Sequence, residues 1–267
     1  FRRVLFRSRG YGGGSKGVNL SGSSELITPA LAAAAARSWW DQHAFEYLDV
    51  HGPALKSRLQ WGPEGWNEAD LGLLGPVTGK RVLEVGSGAC QCSQWLAMEG
   101  AETVATDISL QMLENAESEI PRVCAESSSL PFANSFFDIT FSSYGALPFV
   151  SNPVEVLKEW KRVTKSKIVF SVTHPFRWAL RDDPNSLLIE KSYFDRIPYT
   201  EHESGKISYI EFHRTIQDWV DIVHDAGLAL ERLVEPTWKD APDWDGWSRK
   251  RGELIPGTLI VIANSNE

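Results

Sequence analysis

Apolar and polar positions follow two rhythms along this chain. From Arg81 onward, short apolar runs alternate with stretches of helical spacing. "RVLEV" (81–85), "TVATD" (103–107), "PRVCAE" (121–126), "FFDITFSSY" (136–144) and "KIVFSVTH" (167–174) predict five strands. Their runs are apolar without strict alternation, as strands buried on both faces are. Between them, "CSQWLAMEG" (92–100) predicts a helix ending at Gly100. "SLQMLENAESE" (109–119) predicts a helix capped by Ser109. "NPVEVLKEWKRVT" (152–164) is amphipathic, with Val154, Leu157 and Trp160 on one face. "TIQDWVDIVHDAG" (215–227) is a helix closed by Gly227, and "LALERLVEP" (228–236) and "TLIVIAN" (258–264) are the last two strands.

Outside this alternation the pattern changes. Thr28-Pro29 pairs a threonine cap with proline at the first helical position, and the alanine run to Ala36 carries that helix toward Tyr47. Pro63-Glu64 is expected to open a second short helix ending near Gly75-Pro76. Residues 175–212 are mixed, polar and aromatic, and 236–256 has no helical period but three tryptophans. No internal repeat is present. The whole predicts an α/β fold with a doubly wound, seven-stranded, mostly parallel sheet and right-handed crossovers. In such sheets ligands bind at the carboxyl ends of the strands, at the switch point. The expected organisation is a disordered or non-native segment over 1–24, where glycine and basic residues dominate, an N-terminal helical lid over 25–76, and the main domain over 77–267. Its insertion 175–212 is expected to roof a substrate pocket.

Composition narrows the classes. At 267 residues the chain can bury a core without disulfides. A net charge of −8 disfavours a nucleic-acid partner. Three cysteines, Cys90, Cys92 and Cys124, fit a reducing compartment and hence the cytoplasm, and the scattered histidines form no metal-ligand spacing. No apolar run is long enough to span a membrane. Tryptophan, however, is frequent, with eleven copies. Those outside the sheet either glue peripheral segments onto the core or wall an acceptor pocket. For the second role Phe176, Trp178, Tyr193, Phe194, Tyr199, Trp238 and Trp247 are the expected lining.

The chemistry concentrates in "RVLEVGSGACQCSQWL" (81–96). Gly86 and Gly88 sit where the chain leaves the first strand, where glycine permits a tight turn and close ligand approach. Free N–H groups open the following helix. Twenty-one residues after Gly86, Asp107 ends the second strand, at the spacing of a carboxylate that accepts ribose hydroxyls. A nucleoside-containing cofactor is the reading. The dinucleotide pattern G-x-G-x-x-G/A fails at Gln91, and the acidic Glu84 two positions before Gly86 would repel a pyrophosphate but suits a cationic ligand. A nicotinamide-dependent oxidoreductase is therefore the weaker alternative.

"VLEVGSG", "ATDIS" and "AESSSLPFANSFFDITFSS", in this order and spacing, resemble the successive motifs of class I S-adenosylmethionine-dependent methyltransferases, with the type 11 small-molecule group as the best match. "SWWDQHAFEY" before the domain and "HRTIQDWVDIVHDAGLALERLVEP" after it resemble the same group; Cys90 departs from it at a third glycine position. The resemblance implies a Rossmann-like sheet with its last strand antiparallel, and S-adenosyl-L-methionine as cofactor. It implies that Gly86, Ser87 and Gly88 pass under the methionine and ribose, with Glu84 supporting the loop or the amino group. Asp107 would hold the ribose hydroxyls and Ile108 the adenine face. Glu126 and Ser127 would meet the adenine edge, Ser143 the methionine moiety, and Trp40 and Tyr47 would close over the cofactor. The implied activity is methyl transfer to a small molecule, apolar or aromatic if the aromatic walls form, by in-line displacement from the sulfonium. A module that binds the cofactor without catalysis is the other alternative. Should the acceptor need a general base, Tyr144, His174 and His213 are the candidates, since they follow strands four and five or precede the helix after the insertion.

Overall fold

The computed structural model describes residues 27–55, 58–117, 119–239, 241–243 and 247–265. The segment 1–24 lies outside them. Helix α1 (Pro29–Leu55) begins where Thr28 Oγ1 accepts the Leu31 N–H at 3.2 Å, and it runs past Tyr47. The second helix, α2 (Glu68–Leu71), starts later than Pro63-Glu64 suggested, at an Asn67 capping box. Pro63-Glu64 forms a turn because the Glu64 carboxylate is committed elsewhere: it accepts Gly257 N–H at 2.8 Å and Thr258 Oγ1–H at 2.7 Å.

The alternating half of the chain forms β1 (Arg81–Val85), α3 (Gln91–Met98), β2 (Glu102–Asp107), α4 (Leu110–Glu114), β3 (Arg122–Cys124), β4 (Phe137–Ser143), α5 (Pro153–Val163) and β5 (Thr164–Thr173). Then come a hairpin, β6 (Tyr199–Glu203) and β7 (Lys206–Glu211), followed by α6 (Ile216–Asp225), β8 (Ala229–Val234), α7 (Arg249–Gly252) and β9 (Thr258–Asn264). The main sheet has the order β3-β2-β1-β4-β5-β9-β8. Neighbours from β3 to β5 are parallel, and β9 runs antiparallel to both β5 and β8. Strand order reverses between β1 and β4, so the loops after Val85 and Ser143 flank the switch point.

The core lies on both faces of this sheet. Leu83, Val85, Ile168, Phe170, Val172, Leu259 and Val261 face α5 and α6, packing against Leu157, Trp160 and Trp219. Val82, Val169, Ile260 and Ile262 face the other side with Leu59, Trp61 and Leu96. The period of two breaks in β4, where Phe137 joins the first face but Ile139 and Phe141 the second. A register shift falls at this break: two steps on β4, from Phe137 to Ile139, pair with three on β5, from Thr164 to Lys167. On α5 the buried stripe is Val156, Leu157, Trp160 and Val163, with Val154 only half-buried.

The 175–212 segment is more regular than its composition implied. Ser204 (φ 51°) and Gly205 (φ 77°) make a two-residue turn with both residues left-handed, the geometry that suits a tight hairpin. β7 packs on α1: Tyr209 sits 5.2 Å from Trp39, and Ile210 clusters with Ala32 and Ala35. Trp238 and Trp247 pack with Leu180 around Phe176, so these tryptophans glue peripheral segments together. Within 236–256, α7 buries Arg251, whose guanidinium donates to the carbonyls of Arg181, Asp183 and Ser186. Among the described residues no helix is long and apolar enough to cross a membrane.

Candidate cofactor and acceptor site

A cavity of about 340 Å³ opens at the carboxyl ends of β1, β2 and β4. β1 delivers Glu84 to its wall and then turns through Gly86 (φ 71°) and Gly88 (φ 56°). The N–H groups of Gly86 and Ser87 bond to Thr106 O at 2.8 and 3.0 Å, tying the loop to β2. Gly86 also lies against the loop after β4: a Cβ there would stand 2.5 Å from Ala146 N, and one on Gly145 would stand 2.6 Å from Gly86 O. Both glycines are demanded by this close approach of two backbones.

Cys90 explains itself in this frame. It adopts φ 63°, a left-handed conformation that glycine holds without strain. Its side chain is buried with Ala105 and Leu113, 3.8 Å from Ser87 Oγ, so packing offsets the strain. Burial pushes its thiol up to about 12, and burial likewise lifts Cys92 well above the usual thiol range. Neither is a thiolate nucleophile at neutral pH.

Two buried carboxylates face the cavity, and among the described residues neither forms a salt bridge. Asp107 accepts Gly88 N–H on Oδ2 and Ser109 N–H on Oδ1, each at 2.8 Å. Burial pushes its carboxyl up to about 6 against the pull of these N–H groups. Glu84 accepts the Ser93 N–H at 2.9 Å and its hydroxyl at 2.5 Å on one oxygen, and burial pushes it to about 7. Such a pair suits a ligand that brings hydroxyl donors and a positive charge, and it repels a pyrophosphate. The residues present therefore fit an adenosyl sulfonium better than a dinucleotide.

All eleven residues expected at the cofactor line this cavity: Trp40, Tyr47, Glu84, Gly86, Ser87, Gly88, Asp107, Ile108, Glu126, Ser127 and Ser143. Ser128 Oγ donates to Glu126 at 2.8 Å, and Ser143 Oγ donates to Gln60 O at 2.5 Å. Trp40 stands edge-on to Tyr47 at 5.4 Å and to Phe149 at 5.8 Å, joining α1 to the loop after β4.

The three base candidates part company. Tyr144 lines the cavity in a left-handed conformation (φ 55°), its hydroxyl donating to Gly257 O at 3.0 Å and lying 2.8 Å from Thr258 Oγ1. Burial holds its phenol well above the usual range, so it acts as a neutral hydroxyl. Neither histidine belongs to the cavity wall. His174 accepts Phe176 N–H on Nδ1 at 3.2 Å and engages Glu235 through Nε2 at 2.8 Å. His213 donates Nε2–H to Tyr193 O at 2.7 Å. Burial lowers both imidazoles. The roof also differs from expectation. None of Phe176, Trp178, Tyr193, Phe194, Tyr199, Trp238 and Trp247 lines the cavity, and the hairpin props α1 from behind. The wall comes instead from Pro29, Ala33 and Ala36 on α1, and from Ala146, Phe149, Val150 and Asn152 after β4. The spacing of 29, 33, 36, 40 and 47 marks one helix face, a signal the alanine run concealed. Among the described residues no group of His, Cys, Asp and Glu could hold a metal ion.

Known proteins supply the class. Residues 83–171, from β1 to within β5, match the type 11 family described as a methyltransferase domain. Over that segment the chain is similar to class I S-adenosylmethionine-dependent methyltransferases of type 11. A demethylmenaquinone methyltransferase from Mycobacterium sp. (strain KMS) is 28% identical over 203 residues, which span 74% of this chain and 80% of that protein. Two solved structures share the fold. An S-adenosylmethionine-dependent methyltransferase from Mesorhizobium loti is 22% identical, with a TM-score of 0.59, over 80% of this chain and 97% of its own. The 1,6-didemethyltoxoflavin-N1-methyltransferase of Burkholderia thailandensis, solved with 1,6-didemethyltoxoflavin and S-adenosylhomocysteine, is 14% identical, with a TM-score of 0.58, over 92% of this chain and 93% of its own.

Proposed function

We propose that this methyltransferase acts on a flat, largely apolar small molecule, and that a naphthoquinol is the first acceptor to test. One observation carries the reading: a single cavity joins the glycine loop and its two carboxylates to an apolar wall built from Pro29, Ala33, Ala36, Phe149 and Val150. A planar ring fits between small alanines on one side and an aromatic face on the other. The relatives named for demethylmenaquinone supply the ring class.

In this reading Asp107 receives the ribose hydroxyls, and Ile108, Glu126 and Ser127 surround the adenine. Glu84 and the Gly86–Gly88 loop hold the amino-acid end. S-adenosylmethionine supplies an already activated methyl group. The protein's part is then alignment and exclusion of water, which is worth about 7–11 kcal/mol of barrier in a well-oriented pair. Tyr144, its hydroxyl committed to Gly257 O, braces the wall beside the acceptor. Domain roles follow: residues 25–76 act as the lid and 77–267 as the catalytic body.

The test is transfer of a labelled methyl group from S-adenosylmethionine to short-chain 2-polyprenyl-1,4-naphthoquinol. Label in the quinol supports the reading. Tight S-adenosylhomocysteine binding with no transfer to this ring, but transfer to another acceptor in a panel of aromatic amines and phenols, would move the substrate class elsewhere.

A further inference from the structure

Beside the cavity, the lid helix is tied to the turn after β2 by one side chain to which the sequence analysis gave no role. Asp41 follows Trp40 on α1, and its Oδ1 accepts the Ser109 hydroxyl at 2.6 Å and the Gln111 N–H at 3.2 Å. Ser109 is bound on its other side to the ribose carboxylate, since its N–H donates to Asp107 Oδ1 at 2.8 Å. Its hydroxyl oxygen also accepts the Met112 N–H at 3.1 Å as the cap of α4. A continuous hydrogen-bonded path therefore runs from the lid through Ser109 to Asp107. Residues 41 and 109 are far apart in sequence, so the path joins two separate layers of the fold.

The opposite side of α1 is held differently. There Trp39 packs on Tyr209, and Ala32 and Ala35 on Ile210, all apolar contacts with the hairpin. Apolar contact fixes the helix against the hairpin without setting its distance from the β2–α4 turn. The Asp41 bond sets that distance, and with it the position of Trp40 and Tyr47 over the cavity. A serine hydroxyl donating to a carboxylate is among the stronger neutral-to-charged hydrogen bonds.

We propose that Asp41 is a positioning residue for the cofactor: through Ser109 it latches the lid helix to the ribose-binding turn and so slows departure of the bound adenosyl ligand. The proposal rests on the reading that this cavity holds S-adenosylmethionine. It adds a residue and a kinetic step to that reading. The substitution Asp41→Ala removes the acceptor. Asp41→Asn keeps an oxygen at the same place, able to accept both the Ser109 hydroxyl and the Gln111 N–H.

The experiment is stopped-flow binding of S-adenosylhomocysteine to the full chain, followed by tryptophan fluorescence, with hydrogen exchange on the ligand-free protein alongside. In Asp41→Ala, dissociation is expected to rise at least tenfold while association changes less than threefold. Amide exchange is expected to quicken across residues 37–47 but not in β4 or β5. Asp41→Asn is expected to stay within threefold of wild type on both rates. In a Ser109→Ala background, Asp41→Ala is expected to add less than twofold. Unchanged dissociation in Asp41→Ala, a loss of affinity carried by slower association, or an Asn variant as defective as Ala would each overturn the latch while leaving the cofactor reading intact. Failure of the wild type to bind S-adenosylhomocysteine would overturn both.

Discussion

Asp107 offers the sharpest test, because its cost to the fold and its value to the ligand have opposite signs. The residue is 8% exposed, and its carboxylate accepts the Gly88 and Ser109 N–H groups. Burial holds it at about 6 in place of the ordinary 3.8. A carboxyl whose folded pKa is raised binds its proton more tightly in the native state than in the unfolded chain. The contribution of this carboxyl to stability is therefore greatest below about pH 4 and is lost as pH rises through about 6. At neutral pH the burial costs about 3 kcal/mol, to order of magnitude.

The substitution Asp107→Asn removes that charge. It also removes one acceptor: Gly88 N–H and Ser109 N–H reach different oxygens, and an amide has only one. Leaving a buried N–H without a partner costs about 1–3 kcal/mol. The two effects nearly cancel, so ligand-free stability is expected to change by less than about 2 kcal/mol in urea unfolding. Ligand binding has no such compensation, because one amide oxygen cannot accept a pair of vicinal hydroxyls. Calorimetric titration should show wild type binding S-adenosylmethionine and S-adenosylhomocysteine but not NADH. Both adenosyl ligands should weaken at least tenfold in Asp107→Asn, about 1.4 kcal/mol or more. A folded Asp107→Asn protein with unchanged affinity, or a wild type that binds NADH alone, would refute the reasoning.

Other expectations follow from the same wall. Glu84, held at about 7 by burial, must be ionised to receive a positively charged amino group. Affinity for S-adenosylhomocysteine should therefore decline as pH falls below about 7. Binding near neutrality should also release a proton, read from calorimetry in buffers of different ionisation enthalpy; affinity that is flat from pH 6 to 8 counts against Glu84 as the partner. Its fold linkage has the same sign as that of Asp107, with stability decreasing as pH rises from about 4.5 to 7. Gly86→Ala would place a methyl 2.5 Å from Ala146 N at φ 71° and should destabilise by about 2 kcal/mol or more, measured by urea unfolding.

The sheet was legible because its strands are buried on both faces and its helices carry caps that mean the same thing in any context. Ser109 caps its helix as expected, and Asn152 and Thr215 cap two further predicted helices. The hairpin had a readable mark as well, the Ser204-Gly205 turn, but the polar alternation around it lies on a partly exposed ribbon and carries little hydrophobic contrast. The residues of the loop that lines the cavity were readable for a different reason. A loop that must turn at positive φ against another backbone admits few side chains, so Gly86 and Gly88 advertise the geometry, and Asp107 follows at a fixed interval. Acceptor-side residues are under no such constraint. Ala33 and Ala36 are ordinary helix formers, and only the register of α1, fixed from behind by Trp39 on Tyr209, decides that they face the cavity. The aromatic residues of 175–212 and 236–256 misled for the same cause. An indole that seals one segment onto another has the same composition as an indole that walls a pocket, and the two differ only in which surface the chain brings opposite it. Specificity for the acceptor is therefore encoded in tertiary placement. Variation at positions 33, 36 and 149 should retune the acceptor without touching the fingerprint that identifies the cofactor.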